Sequence, residues 1–193
     1  MFKKTLFTVA VAAMSINQAQ AFNGVDVIKV FAGIMDGILH TDNLNYLLGC
    51  MNGTDSMVVD VENMVTHFKQ GGSMGIGEGI MDIGKFLQDL PPTVYYCGGI
   101  PDDFAKLGQF FSIFGNPSLL SQRIAYNLLW YYTDINNAIS EAIAHWDASE
   151  YYEFGKSTGK ALVLALGDHS TANPVRDQVV PLPKPIDAPK FMA

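Results

Sequence analysis

The chain has 193 residues, of which 49% are hydrophobic, 16% charged and 11% aromatic, and its formal net charge is −7. That length suits one domain, and a chain so apolar and so sparsely charged falls outside the intrinsically disordered class. An acidic chain without a Lys/Arg run also lacks the electrostatics that bind nucleic acid.

Residues 1–21 read as a secretory signal peptide. Lys3 and Lys4 form a positive n-region, and Leu6–Ile16 is an apolar h-region too short to cross a bilayer core of about 30 Å. Ala19-Gln20-Ala21 supplies the small-x-small pattern of a cleavage site, so the mature chain is expected to begin at Phe22. No later segment reaches about 18 uninterrupted apolar residues, so no transmembrane segment is expected after cleavage. The expected location is outside the cell or in the lumen of the secretory pathway.

Residues 22–167 carry helical periodicity almost throughout and are expected to form one helical domain. Val27, Phe31, Ile34 and Ile38 predict an amphipathic helix over 25–39. A short helix follows over 43–50. Asp55 is a plausible N-cap for the next, whose stripe is Val58, Val61, Val65 and Phe68 and which Gly71-Gly72 stops. Ile76, Ile80, Ile83, Leu87 and Leu90 mark a further helix that Pro91-Pro92 ends. Its glycines weaken it by up to about 1 kcal/mol each, which close helix packing would explain. Pro101, followed by Asp102 and Asp103, opens a helix running to about Phe114.

From Ser118 to Trp146 the pattern predicts the longest helix, about 44 Å. Its inner face is expected to hold Leu120, Ile124, Leu128, Tyr131, Ile135, Ala138, Ala142 and Trp146. Asp147 or Ser149 can cap the last helix, which Gly167 ends. Residues 168–193 hold five prolines, Pro181, Pro183, Pro185 and Pro189 among them, and read as an extended tail that packs loosely or not at all. The expected fold is all-α: a bundle of about six helices with one disulfide and a proline-rich C-terminal tail.

The disulfide follows from export. Cys50 and Cys97 are the only cysteines, and an even count in an oxidising compartment usually pairs. Closing that loop would stabilise the fold by about 4 kcal/mol on a chain-entropy argument. Asn52-Gly53-Thr54 is an N-glycosylation sequon, usable in a host that glycosylates, and implies an exposed loop at Asn52.

Motifs for catalysis are weak. Gly155-Lys156-Ser157-Thr158-Gly159 matches G-x-S-x-G, but that motif needs a strand-to-helix turn, and the surrounding pattern is helical. A hydrolase using Ser157 is therefore the remote alternative. The structural reading makes Gly155 and Gly159 a close-packing face for another helix. Gly71–Gly79 reads as a helix break and start, because no strand precedes it as a phosphate loop would require. Asp36/His40 and Glu141/His145 are i,i+4 pairs, short of the three or four convergent ligands a metal needs, and His67 and His169 have no assignable partner. No catalytic residue, metal or other cofactor is expected.

Aromatic residues crowd the last two helices. Tyr126, Trp130, Tyr131, Tyr132, Trp146 and Tyr151 cannot all face one core, so some should face a ligand or partner. From Tyr126-Asn127-Leu128-Leu129 through Ile135, Ala138-Ile139 and Tyr151-Tyr152 to Gly155, Gly159-Lys160-Ala161-Leu162 and Leu166-Gly167, the chain resembles small secreted helical proteins of ciliated protists. Those proteins share one upstream cysteine pair and a C-terminal Gly-x-x-x-Gly-x-Ala-Leu helix. The resemblance implies a helical, secreted, single-disulfide chain and transfers no catalytic residue.

The leading expectation is an exported, non-enzymatic module that binds a protein partner, or itself, through an apolar and aromatic surface. The alternative is a carrier holding a lipid or other small apolar ligand in a bundle cavity.

Overall fold

A computed structural model describes residues 21–51, 54–90, 94 and 101–167, and these form seven α-helices packed together, with no strand among them. They are α1 (Gly24–Leu39), α2 (Leu44–Cys50), α3 (Val58–Gln70), α4 (Gly72–Gln88), α5 (Pro101–Phe111), α6 (Pro117–Asp147) and α7 (Tyr151–Leu166). Short 3₁₀ turns at Thr54–Met57 and Ser112–Gly115 precede α3 and α6. Residues 1–20 of the expected signal peptide, Asn52, Cys97 and the tail at 168–193 lie outside the described residues.

The first helix carries the expected apolar stripe but is buried well beyond it. Thirteen of its 16 residues are buried. Lys29 and Asp36 stand opposite the Val27–Phe31–Ile34–Ile38 stripe, and Gly33 and Gly37 lie between the two sides, where α7 packs against them. Its neighbours surround it: α1 packs against α2, α3, α5, α7 and the first 3₁₀ turn.

Four glycines set the α1/α7 contact. A Cβ on Gly33 would stand 2.0 Å from the Tyr152 carbonyl oxygen, and one on Gly37 2.2 Å from that of Lys156. From the other side, a Cβ on Gly155 would meet the Val30 carbonyl at 2.1 Å and one on Gly159 the Ile34 carbonyl at 2.6 Å. Contacts advance together along both helices, so they run parallel with their backbones touching. Only glycine permits such an approach.

The start of α1 is built from two separate segments. The Asn23 side chain accepts from the amides of Val25 and Asp26, and Asp26 reaches back to the Asn23 amide, forming a capping box. Asp55 does not cap the helix that follows it. Its carboxylate accepts from the Gly24 amide at 3.0 Å, while Thr54 Oγ1 donates to the Gly24 carbonyl at 2.7 Å. The N-cap of α3 is Met57, which makes no side-chain capping bond. Asp55→Ala is therefore expected to cost about 1 kcal/mol through α1 rather than α3. Hydrogen exchange should show α1's first turn opening while α3 stays protected.

Helices α3 and α4 form a hairpin around Gly71, whose φ of 68° ends α3. Gly79 makes room for the Phe68 ring, and Gly75 for the His67 carbonyl. Helix α6 is kinked. Tyr131 has φ −121° and ψ 22°, outside helical values. The buried stripe carries on across the break, from Leu120, Ile124 and Leu128 to Ile135, Ala138, Ile139 and Ala142. Tyr131, expected on the inner face, is exposed instead.

Neither Asp147 nor Ser149 caps α7. Asp147 pairs with Lys69 at 2.7 Å, Ser149 takes a left-handed turn at φ 61°, and Glu150 holds the N-cap position without a side-chain bond. At the other end, Asn127 Nδ2 and Arg123 Nη1 donate to the Ala165 and Leu166 carbonyls at 2.7 and 3.2 Å. These satisfy carbonyls that a helix C-terminus leaves without partners.

Candidate functional site

Helix α4 divides its sides sharply. Ile76, Ile80, Ile83 and Phe86 enter the core, while Met74, Gly77, Glu78 and Met81 face a groove shared with α6. Ile124, Leu128, Leu129 and Tyr132 line the α6 side. The groove encloses about 1010 Å³. Two apolar lining residues are widely open to solvent, Met74 at 76% and Leu129 at 75%; Trp130, which does not line the groove, is 66% exposed elsewhere on α6. Tyr126 rests against Trp130 with ring centroids 6.5 Å apart. Residues 124–133 include no charged side chain.

A charged cluster lies along one wall. Buried Asp82 receives Lys85 Nζ at 2.9 Å and meets His67 Nδ1 in a close hydrogen bond. The hydrogen bond to Asp82, and then its charge, hold the Lys85 ammonium above its ordinary value of 10.5. His67 thus has a partner that its position in the sequence does not disclose. His67 Nε2 lies 3.7 Å from Glu78 Oε2. The His67–Asp82 contact ties α3 to α4.

The six candidate aromatics divide into two groups. Tyr126, Trp130, Tyr131 and Tyr132 are exposed on α6. Trp146 and Tyr151 are partly buried and join Phe22 and Phe154 in a ring cluster with centroids 4.8–5.3 Å apart. That cluster ties Phe22, the residue after the expected cleavage site, to α6 and α7.

Ser157 is 1% exposed in the middle of α7, not at the strand-to-helix turn that would present a nucleophile. His145 meets Glu150 at 2.6 Å, and His40 is the left-handed C-cap of α1. Among the described residues no three His, Cys, Asp or Glu side chains stand close enough to hold a metal ion, and no helix is long and apolar enough to cross a membrane. Cys50, partly buried at the end of α2, is not a free thiol. Its expected partner, Cys97, is outside the described residues.

A second polar cluster joins α1 to α7. Tyr152 donates to Asp36 Oδ2 at 3.0 Å, and Lys156 Nζ stands 2.6 Å from the same oxygen. Burial first, then the hydrogen bond and charge of Asp36, hold the Tyr152 phenol well above its ordinary value of 10. Hydrogen bonding to Asp36, and then its charge, likewise raise Lys156.

Both clusters left partial signals in the sequence. Glu78, Asp82 and Lys85 step by 4 and 3 along one helix face, and Tyr152 and Lys156 by 4. Their partners, His67 and Asp36, come from other helices, which no local spacing shows.

A smaller recess of about 430 Å³ lies between the end of α4 and α5, lined chiefly by Phe31, Phe104, Phe111, Phe114, Leu87 and Leu107. No family model matches the chain, and neither a curated protein nor a solved structure is significantly similar to it.

Proposed function

We propose that this chain is an exported, non-enzymatic helical module that binds a protein or assembly partner through the apolar face of α4 and α6. One observation carries the reading: Met74 on α4 and Leu129 on α6 line one groove, and each is about three-quarters exposed. Single exposed apolar residues are ordinary, but a continuous patch of large ones marks an interaction surface. Charge depletion over 124–133 is the composition that interface centres favour. Methionine and aromatic side chains adapt to an incoming helix.

The phenylalanine-lined recess supports a second reading, a carrier of a small apolar ligand, because Phe31, Phe104, Phe111 and Phe114 converge on it. Export rests on residues 1–21, and the Cys50–Cys97 bridge on the cysteine count.

Native mass spectrometry of the chain purified from its producing cells separates these readings. A partner reading expects added protein mass that Leu129→Glu releases, with folding stability changed by less than about 0.5 kcal/mol. Added mass that organic solvent removes would replace it with the carrier reading. A bare chain would overturn both. The same spectra should show a gain of about 2 Da on reduction, the mark of one disulfide.

A further inference from the structure

We infer that the proline-rich segment 180–191 of this same chain docks on the outer face of α6, along Leu119, Tyr126 and Trp130. The inference goes beyond the partner-binding reading and concerns the side of α6 turned away from the groove.

An exposed stripe is the first observation. Leu119, Arg123, Tyr126 and Trp130 step by 4, 3 and 4, so they share one helix face. Leu119 is 40% exposed and Tyr126 50%, and Trp130 is more open than either. None of the three lines the groove with α4. Tyr126 and Trp130 lean together with their rings at 56°. From Leu119 to Trp130 the stripe runs about 17 Å. Large apolar side chains gathered on one exposed face form a patch rather than scattered singles.

The second observation is where α7 ends. Arg123 belongs to the stripe, and its Nη1 donates to the Leu166 carbonyl at 3.2 Å. Asn127, the residue after Tyr126, donates to the Ala165 carbonyl at 2.7 Å. Gly167, with φ 88°, ends the helix there, and a Cβ on it would stand 3.8 Å from Arg123 Nη1. The chain therefore leaves α7 beside the middle of the stripe. Residues 168–179 can span up to about 40 Å, so segment 180–191 can reach either end even after doubling back.

The segment's own pattern is the third. Pro181, Pro183, Pro185 and Pro189 favour polyproline II, which has three residues per turn. At that period Val180, Pro183, Ile186 and Pro189 fall on one edge. The charged residues of the segment, Lys184, Asp187 and Lys190, fall together on another. A spacer needs no such sorting, whereas a segment that lies on an apolar surface does. Proline-rich segments dock on aromatic side chains, and their preformed backbone gives up little entropy in doing so. Tethering adds to this, because a short linker presents the segment at an effective concentration on the order of millimolar. Any free partner for this face has to compete with that.

The test uses the full chain with Trp146→Phe, which leaves Trp130 as the sole tryptophan. Pro183→Ser, Ile186→Ser and Pro189→Ser, introduced together, should shift Trp130 emission to the red and raise its quenching by acrylamide. Circular dichroism should show the helix signal unchanged, which separates undocking from misfolding. Lys184→Ser with Lys190→Ser, on the charged edge, should leave Trp130 as it was. In a second measurement benzoylphenylalanine replaces Leu182, and its crosslinks should map to residues 119–130 at the mass of one chain.

Unchanged Trp130 emission and quenching in the triple variant overturn the inference. So do crosslinks confined to other parts of the chain, or none. A crosslinked species of twice the chain mass overturns docking within one chain and gives the segment to a second copy. Crosslinks from position 182 to a different protein in the producing cells, with none to α6, overturn it in favour of an outside partner.

Discussion

Gly33→Ala is expected to destabilise the fold by about 3 kcal/mol, a large share of the roughly 5–15 kcal/mol that holds a domain folded. The new methyl group would lie 2.0 Å from the Tyr152 carbonyl oxygen. Neither party can yield locally, since the obstacle is helix backbone and not the end of a side chain. Helices α1 and α7 would have to separate. Because α1 also packs against α2, α3 and α5, that movement loosens those contacts as well. Helix propensity works the other way, but alanine's advantage over glycine is only about 1 kcal/mol. Gly155→Ala, with the Val30 carbonyl at 2.1 Å, should behave alike. Gly77→Ala is the control: with open space at its Cβ it should gain about 0.5–1 kcal/mol. Urea midpoints at unchanged m-value measure all three. Equal midpoints for Gly33→Ala and Gly77→Ala would mean that α1 and α7 do not touch backbone to backbone.

Stability is expected to fall steeply above about pH 10, and Tyr152 to account for much of the fall. Tyr152 holds its proton more tightly in the folded chain than a free phenol does, because it is buried against Asp36. A group whose folded pKa exceeds its unfolded one contributes stability that is complete below the unfolded value and is lost as pH rises beyond it. The window therefore opens near the ordinary tyrosine value of 10 and extends upward. Within it, one such proton changes stability by at most about 1.4 kcal/mol per pH unit. Lys156 is shifted in the same direction by the same carboxylate and adds to the slope. Tyr152→Phe should lose about 1 kcal/mol at pH 8 with its hydrogen bond, then decline more gently than the parent above about pH 10. Tyr126→Phe, on the exposed face, should follow the parent throughout. Parallel curves for the parent and Tyr152→Phe would remove Tyr152 from the alkaline transition.

Helix positions were legible because they depend on local information: apolar spacing of three and four, glycine or proline at the ends, acids near the starts. The breaks at Gly71, Pro101 and Gly167 fall where those signals stand. Caps were less legible. Asp55 has the right chemistry for a cap, but its carboxylate serves α1, whose start lies 31 positions away. The period of α6 misplaced Tyr131 because a uniform 3.6-residue repeat carries no sign of a kink.

The candidate site divides along the same line. Aromatic excess in α6 was visible from the sequence, since more rings stand there than one face can bury. Which rings remain exposed was decided by packing: Trp146 and Tyr151 gained Phe22 and Phe154 as neighbours, while Tyr126 and Trp130 pair with each other and stay exposed. The groove itself requires α4 to lie beside α6, and His67 gains Asp82 only once the α3/α4 hairpin closes.

By itself the sequence determined the all-α class, the helix boundaries to within a few residues, and the requirement that Gly155 and Gly159 leave a bare strip on α7. Only tertiary structure decided that α1 is central and that Gly33 and Gly37 occupy that strip. Periodicity along one helix reports which residues avoid water. It does not report which neighbour excludes the water, because that choice is made by shape complementarity between segments far apart in the chain.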